Sequence, residues 1–380
     1  MKAGKVIKGL CTVLAGIVIL VVMAAAIVWG KEIATMKTVK QVDGNKYLYT
    51  MEYKAAYDLD DVIEADISSN SELLQFIVGK IVKGLPIKMK APEGPAGVEV
   101  NCTSFQVKNA EGDGWLYGRN YDYFKNPSMV TVSHPKNGYA SIAVSDMSHF
   151  GYSLEKLPES FVSKALCLAA IYAPVDGINE KGLCTSIMAL PKQPAQQDSG
   201  KPRISTTTVM RLFLDRCATV DEALELLAKY DVRHDVAAGS GYHYMVADAS
   251  GKCAVIEFDL DDGWKTMIVR KPEGENSLLV TNHLLNPKYY TEEPDQRVGN
   301  IHSHSWWRYE TAGNYIASRN GIMTNEEAQE CLSQVHWENM LWDDGVTVED
   351  TQYSAVYDQS ALELTIRNWS DYGTPHFFKL

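Results

Sequence analysis

Asn101-Cys102-Thr103-Ser104-Phe105-Gln106-Val107, the turn Ala110-Glu111-Gly112-Asp113-Gly114, and Trp115-Leu116-Tyr117-Gly118-Arg119-Asn120-Tyr121-Asp122-Tyr123 decide how this chain reads. β-Branched and aromatic residues fill two short runs around a glycine-rich turn, which is the pattern of an antiparallel hairpin. Cys102 then opens the first strand, and Arg119 and Asp122 close the second. Successive side chains of a strand point to opposite faces, so such a hairpin gathers residues that are distant in sequence onto shared surfaces.

Outward from the hairpin, short alternating segments predict further strands at 140–144, 182–188, 242–248, 254–258, 278–281, 354–358 and 362–367. Helices are interleaved with them. Thr219-Val220-Asp221-Glu222 before 223–229 and Thr324-Asn325-Glu326-Glu327 before 328–335 have the S/T-x-x-E pattern, in which side chains satisfy the first free amides of a helix. Helical spacing also marks 306–319 and 160–170. Upstream, Leu73, Leu74, Ile77, Val78, Ile81 and Val82 line one stripe over 71–83, with Asn70 or Ser71 as the cap and Gly84 and Pro86 as the stop. The pattern is α+β: mainly antiparallel strands with helices stacked outside them.

The first thirty residues are different in kind. No charge falls between Gly9 and Gly30, and at ~1.5 Å per residue this run is long enough to cross a bilayer. Lys2, Lys5 and Lys8 precede it, so the lysine bias keeps the N-terminus in the cytoplasm and places the rest outside. Residues 1–30 therefore read as a membrane anchor. A cleaved signal with secretion is the rival, given Ala24-Ala25-Ala26, but the core of a signal peptide is only ~7–15 residues. Residues 31–101, which end in Ala91-Pro92-Glu93-Gly94-Pro95-Ala96-Gly97, read as a spacer or propeptide carrying the 71–83 helix. The domain itself then runs over 102–380.

Composition excludes several classes of function. With 46% hydrophobic and 22% charged residues among 380, the chain is globular and neither disordered nor collagenous. Its 36 Lys and Arg against 48 Asp and Glu give a net charge of -12, with no basic surplus for nucleic acid. The seven cysteines are widely spaced, without a CxxC pair, so neither a disulfide framework nor a zinc site is expected. Cys167, Cys184, Cys217, Cys253 and Cys331 sit in apolar surroundings and read as small core residues. His302-Ser303-His304 lacks a third ligand, so we assign no metal, and nothing in the chain calls for a cofactor. Asn101-Cys102-Thr103 and Asn368-Trp369-Ser370 match the glycosylation sequon.

A cysteine opening a strand, with Gly118-Arg119-Asn120-Tyr121-Asp122 at the end of the next, resembles the choloylglycine hydrolase and penicillin V acylase group of N-terminal-nucleophile hydrolases. That group is related to acid-ceramidase-like amidases and to acyl-CoA:6-aminopenicillanate acyltransferases. Asp176-Gly177-Ile178-Asn179-Glu180-Lys181-Gly182-Leu183, the run 243–252, Val280-Thr281-Asn282 and Arg308-Tyr309 resemble further motifs of the group in the same order. The resemblance implies a four-layer αββα sandwich and hydrolysis of a linear amide through an acyl-enzyme on Cys102. It implies that the α-amine of Cys102, with a reference pKa of ~7.7–8.0, takes the thiol proton. Arg119 and Asp122 would then hold thiolate and ammonium, Asn282 and the backbone N–H of Ala189 would form the oxyanion hole, and Arg308 would complete the charge network.

Taken singly, each of these residues has an ordinary reading. Arg119 and Asp122 alone would be a surface pair worth ~0.2–1 kcal/mol, Asn282 a turn residue, Arg308 a solvated helix position and Cys102 core. Their ordered recurrence is what points to catalysis. Tyr121, Phe124, Met188, Leu190 and Trp307, with Tyr123 and Trp306, are candidates to line an apolar acyl pocket, or equally to fill ordinary core. His243 and His283 are weaker candidates for a Cys-His pair with Cys102.

The partner implied is a small-molecule N-acyl amide: a conjugated bile acid, an N-acyl amino acid or amine, or a penicillin V-like amide. Membrane contact is expected through residues 9–30, none with nucleic acid, and a homo-oligomer is compatible with the sequence. An acyltransferase working through the same intermediate and a non-catalytic membrane-anchored binding module are the alternatives. One departure stands out, because relatives often carry the cysteine directly after the initiator Met. Here the amine of Cys102 is blocked in the full chain, so either the Asn101–Cys102 bond is cut or the site works without a free amine.

Overall fold

The computed structural model describes residues 27–83, 101–191, 194–290, 304–341, 346 and 348–380. Two sheets face each other. One has nine strands, running from Lys40–Gln41 through Leu48–Tyr53, Ser128–Ser133, Ser141–Asp146, Asp176–Asn179, Cys184–Pro191, Ser240–Ala247 and Cys253–Phe258 to Thr266–Arg270. The other is built on Ser277–Val280, Asn101–Asn109, Trp115–Tyr123, Val348–Asp358, Glu363–Asn368 and His376–Lys379 in that order. Helices Thr206–Arg216 and Val220–Leu227 flank the first sheet, and His304–Ala317 and Asn325–Ser333 flank the second. This is the expected α+β, four-layer αββα arrangement.

Local chemistry accounts for the elements that the sequence announced. The hairpin forms with Cys102 opposite Tyr121 and Ser104 opposite Arg119. Gly118 is required where it stands, because a Cβ there would lie 2.3 Å from the Phe105 ring across the ladder. Thr324 and Glu327 form the reciprocal capping box, and Thr219 accepts from the Glu222 amide. The helix expected over 71–83 is Asn70–Val82, capped one residue earlier by Ser69, with Leu73, Ile77 and Val78 buried. The 160–170 segment winds as a 3-10 helix, Ser163–Tyr172. Helix Thr206–Arg216 is not legible in the sequence. Its consecutive threonines read as strand, and it is buried nearly all round, so no polar face marks a helical period.

The largest correction concerns residues 31–83, which are an integral part of the domain and no spacer. Leu48–Tyr53 pairs in parallel with Ser128–Ser133, extending the nine-stranded sheet. Leu48, Met51, Val62, Ile63, Leu73 and Ile77 join the main core, Tyr57 donates to Asp215 Oδ2 at 2.7 Å, and Asp66 accepts from Arg203 Nε at 2.8 Å. Residues 84–100 and the expected membrane span 9–30, apart from 27–30, lie outside the described residues. Among the described residues no helix is long and apolar enough to cross a membrane.

Two apolar cores result. The larger fills the space between the sheets and beneath Thr206–Arg216, and a smaller one of Phe105, Val107, Leu116, Ala312, Ile316 and Leu332 lies under the helices of the second sheet. Cys167, Cys184, Cys217, Cys253 and Cys331 are buried and unpaired, as their surroundings predicted. Asn101 and Asn368 are buried too, so neither sequon is open to a glycosyl donor in the folded chain.

Candidate active site

Register delivers the hairpin residues to two faces. Cys102, Ser104, Tyr117, Arg119 and Tyr121 turn toward the first sheet, where Ser104 Oγ lies 2.9 Å from Ser186 Oγ and Arg119 Nη2 donates to the Ile187 carbonyl at 2.8 Å. Asn101, Thr103, Asn120 and Asp122 turn toward the outer helices, where Arg308 of His304–Ala317 donates to Thr103 Oγ1 at 3.1 Å. The site is thus built around the Cys102 end of Asn101–Asn109, with an arginine on either side of it.

Both arginines are fully buried, which obliges carboxylates to accompany them. Arg119 Nε lies 3.5 Å from Asp176 Oδ2, and the Tyr353 and Tyr357 hydroxyls donate to the same carboxylate. Arg308 donates to the Cys102 carbonyl, lies 3.9 Å from Asp122 Oδ2, and reaches Asn282 Oδ1 at 2.8 Å and Asn101 Oδ1 at 3.1 Å. Burial pushes the Asp122 carboxyl up to about 6, against the opposing pull of Arg308 and of the Thr351 hydroxyl that donates at 2.6 Å. Burial also pushes the Cys102 thiol up to about 11, with Asp122 adding to the rise and Arg119 and Arg308 drawing it down.

Asn282 sits where the sheet stops. Ser277–Val280 pairs with Asn101–Asn109, Val280 opposite Ser104, and two further residues bring Asn282 level with Cys102. Its side chain replaces the missing ladder carbonyl: Oδ1 accepts the Cys102 N–H at 2.7 Å. Its Nδ2 donates to the Ala189 carbonyl at 2.7 Å. Asn282 and Ala189 are therefore neighbours, as expected, but in this state Ala189 offers Asn282 its carbonyl oxygen. The Asn282 loop is pinned by Ser305 Oγ, which accepts from the Asn282 N–H at 2.8 Å, and by Glu257, which accepts from the Leu285 and Asn286 amides at 2.7 and 2.9 Å.

The remaining candidates divide. Tyr121 is buried, stacked 5.5 Å from Tyr353, and Met188 and Leu190 are buried on the strand that carries Ala189. Phe124 packs 4.8 Å from Tyr123. Trp307 does not join them: it is 45% exposed, while Trp306 beside it is buried against Tyr309. His243 Nε2 lies 2.8 Å from the Thr281 carbonyl, with Glu257 at 3.5 Å from its other nitrogen, and His283 meets Ser305 Oγ at 2.8 Å. Both histidines brace the Asn282 loop. His304 packs its ring on Trp337, and His302 lies outside the described residues. A surface cavity of about 430 Å³ lined by Asp66, Phe76 and Arg203 shares no residue with the Cys102 site.

Sequence reasoning missed Asp176 as the partner of Arg119, Glu257 as the anchor of the loop, and Glu349 beside Asn101. Asp176 opens the motif run 176–183, and Glu257 carried a signal of its own. A carboxylate inside Ala254-Val255-Ile256-Glu257-Phe258 must be paired if that run is a central strand.

Two variants of conjugated bile acid hydrolase from Clostridium perfringens match this fold with a TM-score of 0.53 at 15% identity, over 73% of this chain and 92% of theirs. Penicillin V acylase from Agrobacterium tumefaciens matches at 18% identity and a TM-score of 0.46, over 73% and 85%. The fold is that of the N-terminal-nucleophile hydrolases. The family profile described as acyl-coenzyme A:6-aminopenicillanic acid acyl-transferase matches residues 107–368, from within Asn101–Asn109 to the end of Glu363–Asn368. That span takes in Arg119, Asp122, Ala189, Asn282 and Arg308, and over most of its length the chain belongs to the acyl-coenzyme A:6-aminopenicillanic acid acyl-transferase family.

Proposed function

We propose that the protein is a cysteine N-terminal-nucleophile hydrolase that cleaves the C–N bond of a linear N-acyl amide through an acyl-enzyme on Cys102. The observation that carries this reading is the environment of the Cys102 nitrogen. Its N–H is held at 2.7 Å by Asn282 Oδ1, and the nearby Asp122 Oδ2 is buried with no hydrogen bond. An orphaned carboxylate oxygen is costly. An ammonium released by cutting the Asn101–Cys102 bond would satisfy it, and the resulting amine could take the proton of the neighbouring thiol.

In this reading Arg119 favours the thiolate and Arg308 neutralises Asp122. Asn282 Nδ2 and a backbone N–H at Ala189 meet the oxyanion once the carbonyl of an entering amide displaces the Asn282–Ala189 contact. Buried Tyr121, Met188 and Leu190 favour an apolar acyl group, as in conjugated bile acids, N-acyl amino acids or amines, or penicillin V-like amides. Residues 9–30 anchor the chain, with the catalytic part outside the cytoplasm, on the strength of the uncharged run and the lysines before it. The family profile favours acyl transfer as the second reading, with an amine in place of water as the acceptor. Adding amines or hydroxylamine during turnover separates the two, since a transferase forms the new amide in preference to the free acid.

The testing experiment is N-terminal sequencing of active protein, whose larger piece should begin at Cys102. The two pieces should separate on a denaturing gel and elute together from a sizing column. At least six apolar side chains of 31–83 sit in the common core, each worth about 1.5–3 kcal/mol. Full activity in an uncleaved chain would refute the mechanism.

The pH dependence of the cut is a separate prediction. With the thiol at about 11, its thiolate fraction grows about tenfold per pH unit through the neutral range. The logarithm of the cleavage rate should therefore rise with unit slope from roughly pH 6 to 9, and amide turnover by the cut enzyme should level off near the α-amine pKa of ~7.7–8.0. A flat cleavage profile would rule out thiolate attack.

A further inference from the structure

Asn101 is 2% exposed, and its contacts are unusual for a residue that precedes a bond to be broken. Its backbone N–H donates to Glu349 Oε1 at 3.2 Å, and its side-chain Nδ2 donates to Oε1 at 3.2 Å and to Oε2 at 2.9 Å. Its Oδ1 accepts from Arg308 Nη2 at 3.1 Å. Glu349 is itself 1% exposed and lies on Val348–Asp358, two residues before Thr351, which faces Asp122 across the ladder, as Asp122 faces Asn101. A carboxylate buried this deeply that takes three hydrogen bonds from Asn101 requires a reason, because its desolvation is expensive and a neutral side chain would fill the same space.

We propose that Glu349 is the positioning residue for maturation: it clamps Asn101 so that the Cys102 thiol can attack the Asn101 carbonyl carbon. This rests on the reading above that the Asn101–Cys102 bond is cut. The residues on both sides of the bond are then gripped, Asn101 by Glu349 and the Cys102 carbonyl by Arg308, while Asn282 holds the nitrogen that is to leave. A fixed geometry of this kind removes the rotational freedom that makes attack on a neighbouring carbonyl slow. The Cys102 Sγ–Asn101 C bond forms, the C–N bond breaks, and the thiol proton passes to the departing nitrogen. Water then adds its oxygen to the thioester carbonyl and its proton to Sγ, leaving an Asn101 carboxylate, a free thiol and a free α-amine.

The test follows the full chain by intact mass and measures how fast the Cys102 terminus appears in wild type, Glu349→Gln, Asn101→Asp and the double variant. Glu349→Gln loses a charged acceptor and should slow the cut about ten- to hundredfold. Asn101→Asp sets two buried carboxylates face to face and should slow it further. The double variant restores one carboxylate against one amide and should recover to within about threefold of wild type, a reciprocity that a merely structural role would not give. Once cut, Glu349→Gln should hydrolyse N-acyl amides with kcat within about threefold of wild type. Wild-type cleavage rates in both single variants, or no recovery in the double variant, would overturn the proposal while leaving the cut itself standing. A wild-type chain that is active without ever being cut would instead remove the maturation reading and this role with it. If Glu349→Gln fails to fold, Asn101→Ala keeps the carboxylate and removes its side-chain partner, and cleavage at the wild-type rate there overturns the clamp.

Discussion

Cys102→Ser is expected to lower amide hydrolysis by roughly 10⁴-fold or more and to stop the cut at Asn101–Cys102, with the melting temperature close to wild type. A hydroxyl is a far poorer nucleophile than a thiol at neutral pH, and Arg119 can stabilise a thiolate but has no comparable anion to favour on serine. Fold is spared because serine is slightly smaller and can accept from Arg119 in the place where the thiol is buried. Cys253→Ala is the control. Cys253 is equally buried, on Cys253–Phe258, and losing its sulfur should cost about 1–2 kcal/mol of stability with kcat unchanged. Steady-state kinetics, intact mass and thermal melts on both variants decide the matter. Equal losses of activity would mean that the cysteines serve folding alone and that the site lies elsewhere.

Asn282→Ala should lower kcat by ~10²–10³, one lost oxyanion donor at ~2.7–4 kcal/mol, with KM changed less. The same side chain accepts the Cys102 N–H and the Arg308 guanidinium, so its removal also strands two buried donors. Stability should therefore fall as well, by about 1–3 kcal/mol. Asn282→Asp distinguishes the two effects. Its carboxylate keeps both donors satisfied and is held by Arg308, but it sets an oxygen against the Ala189 carbonyl to which Nδ2 donates, so only part of the stability should be retained, while the negative charge opposes the developing oxyanion and turnover should remain low. Near-normal kcat in the folded fraction of either variant would reduce Asn282 to a structural bracket.

How far the site could be read ahead depended on the range of each interaction. Cys102, Arg119 and Asp122 share one hairpin, and an alternating pattern with a glycine-rich turn is enough to bring them together. That Cys102 and Arg119 face the opposite sheet while Asp122 faces the helices follows from the same alternation, but which face is which depends on the layers packed outside. Trp307 was misplaced for this reason: helical spacing gives a stripe, and here the stripe turns Trp306 inward and Trp307 to solvent. The strand Leu48–Tyr53 was missed because its longer partner, Ser128–Ser133, lies far along the chain and pairs with it in parallel, with no turn to mark the join, while its neighbour Lys40–Gln41 is only two residues long.

By itself, the sequence determined many of the elements and their order: the hairpin, the capped helices, the α+β class, and a cysteine at a strand start followed by arginine, aspartate and asparagine. These rest on periodicities of two and 3.6 residues, on turn residues and on caps, all of which act within a few residues of one another. Only the tertiary structure decided that 31–83 is part of the sheet, that Asp176 accompanies Arg119, that Asn282 completes the ladder beside Cys102, and that Glu349 grips Asn101 from 248 residues away. Contacts of that range follow from the order of strands in the sheets, which is set by burying whole faces at once. Once those faces are buried, the charges carried into the interior must find one another there, because an unpaired charge costs several kcal/mol.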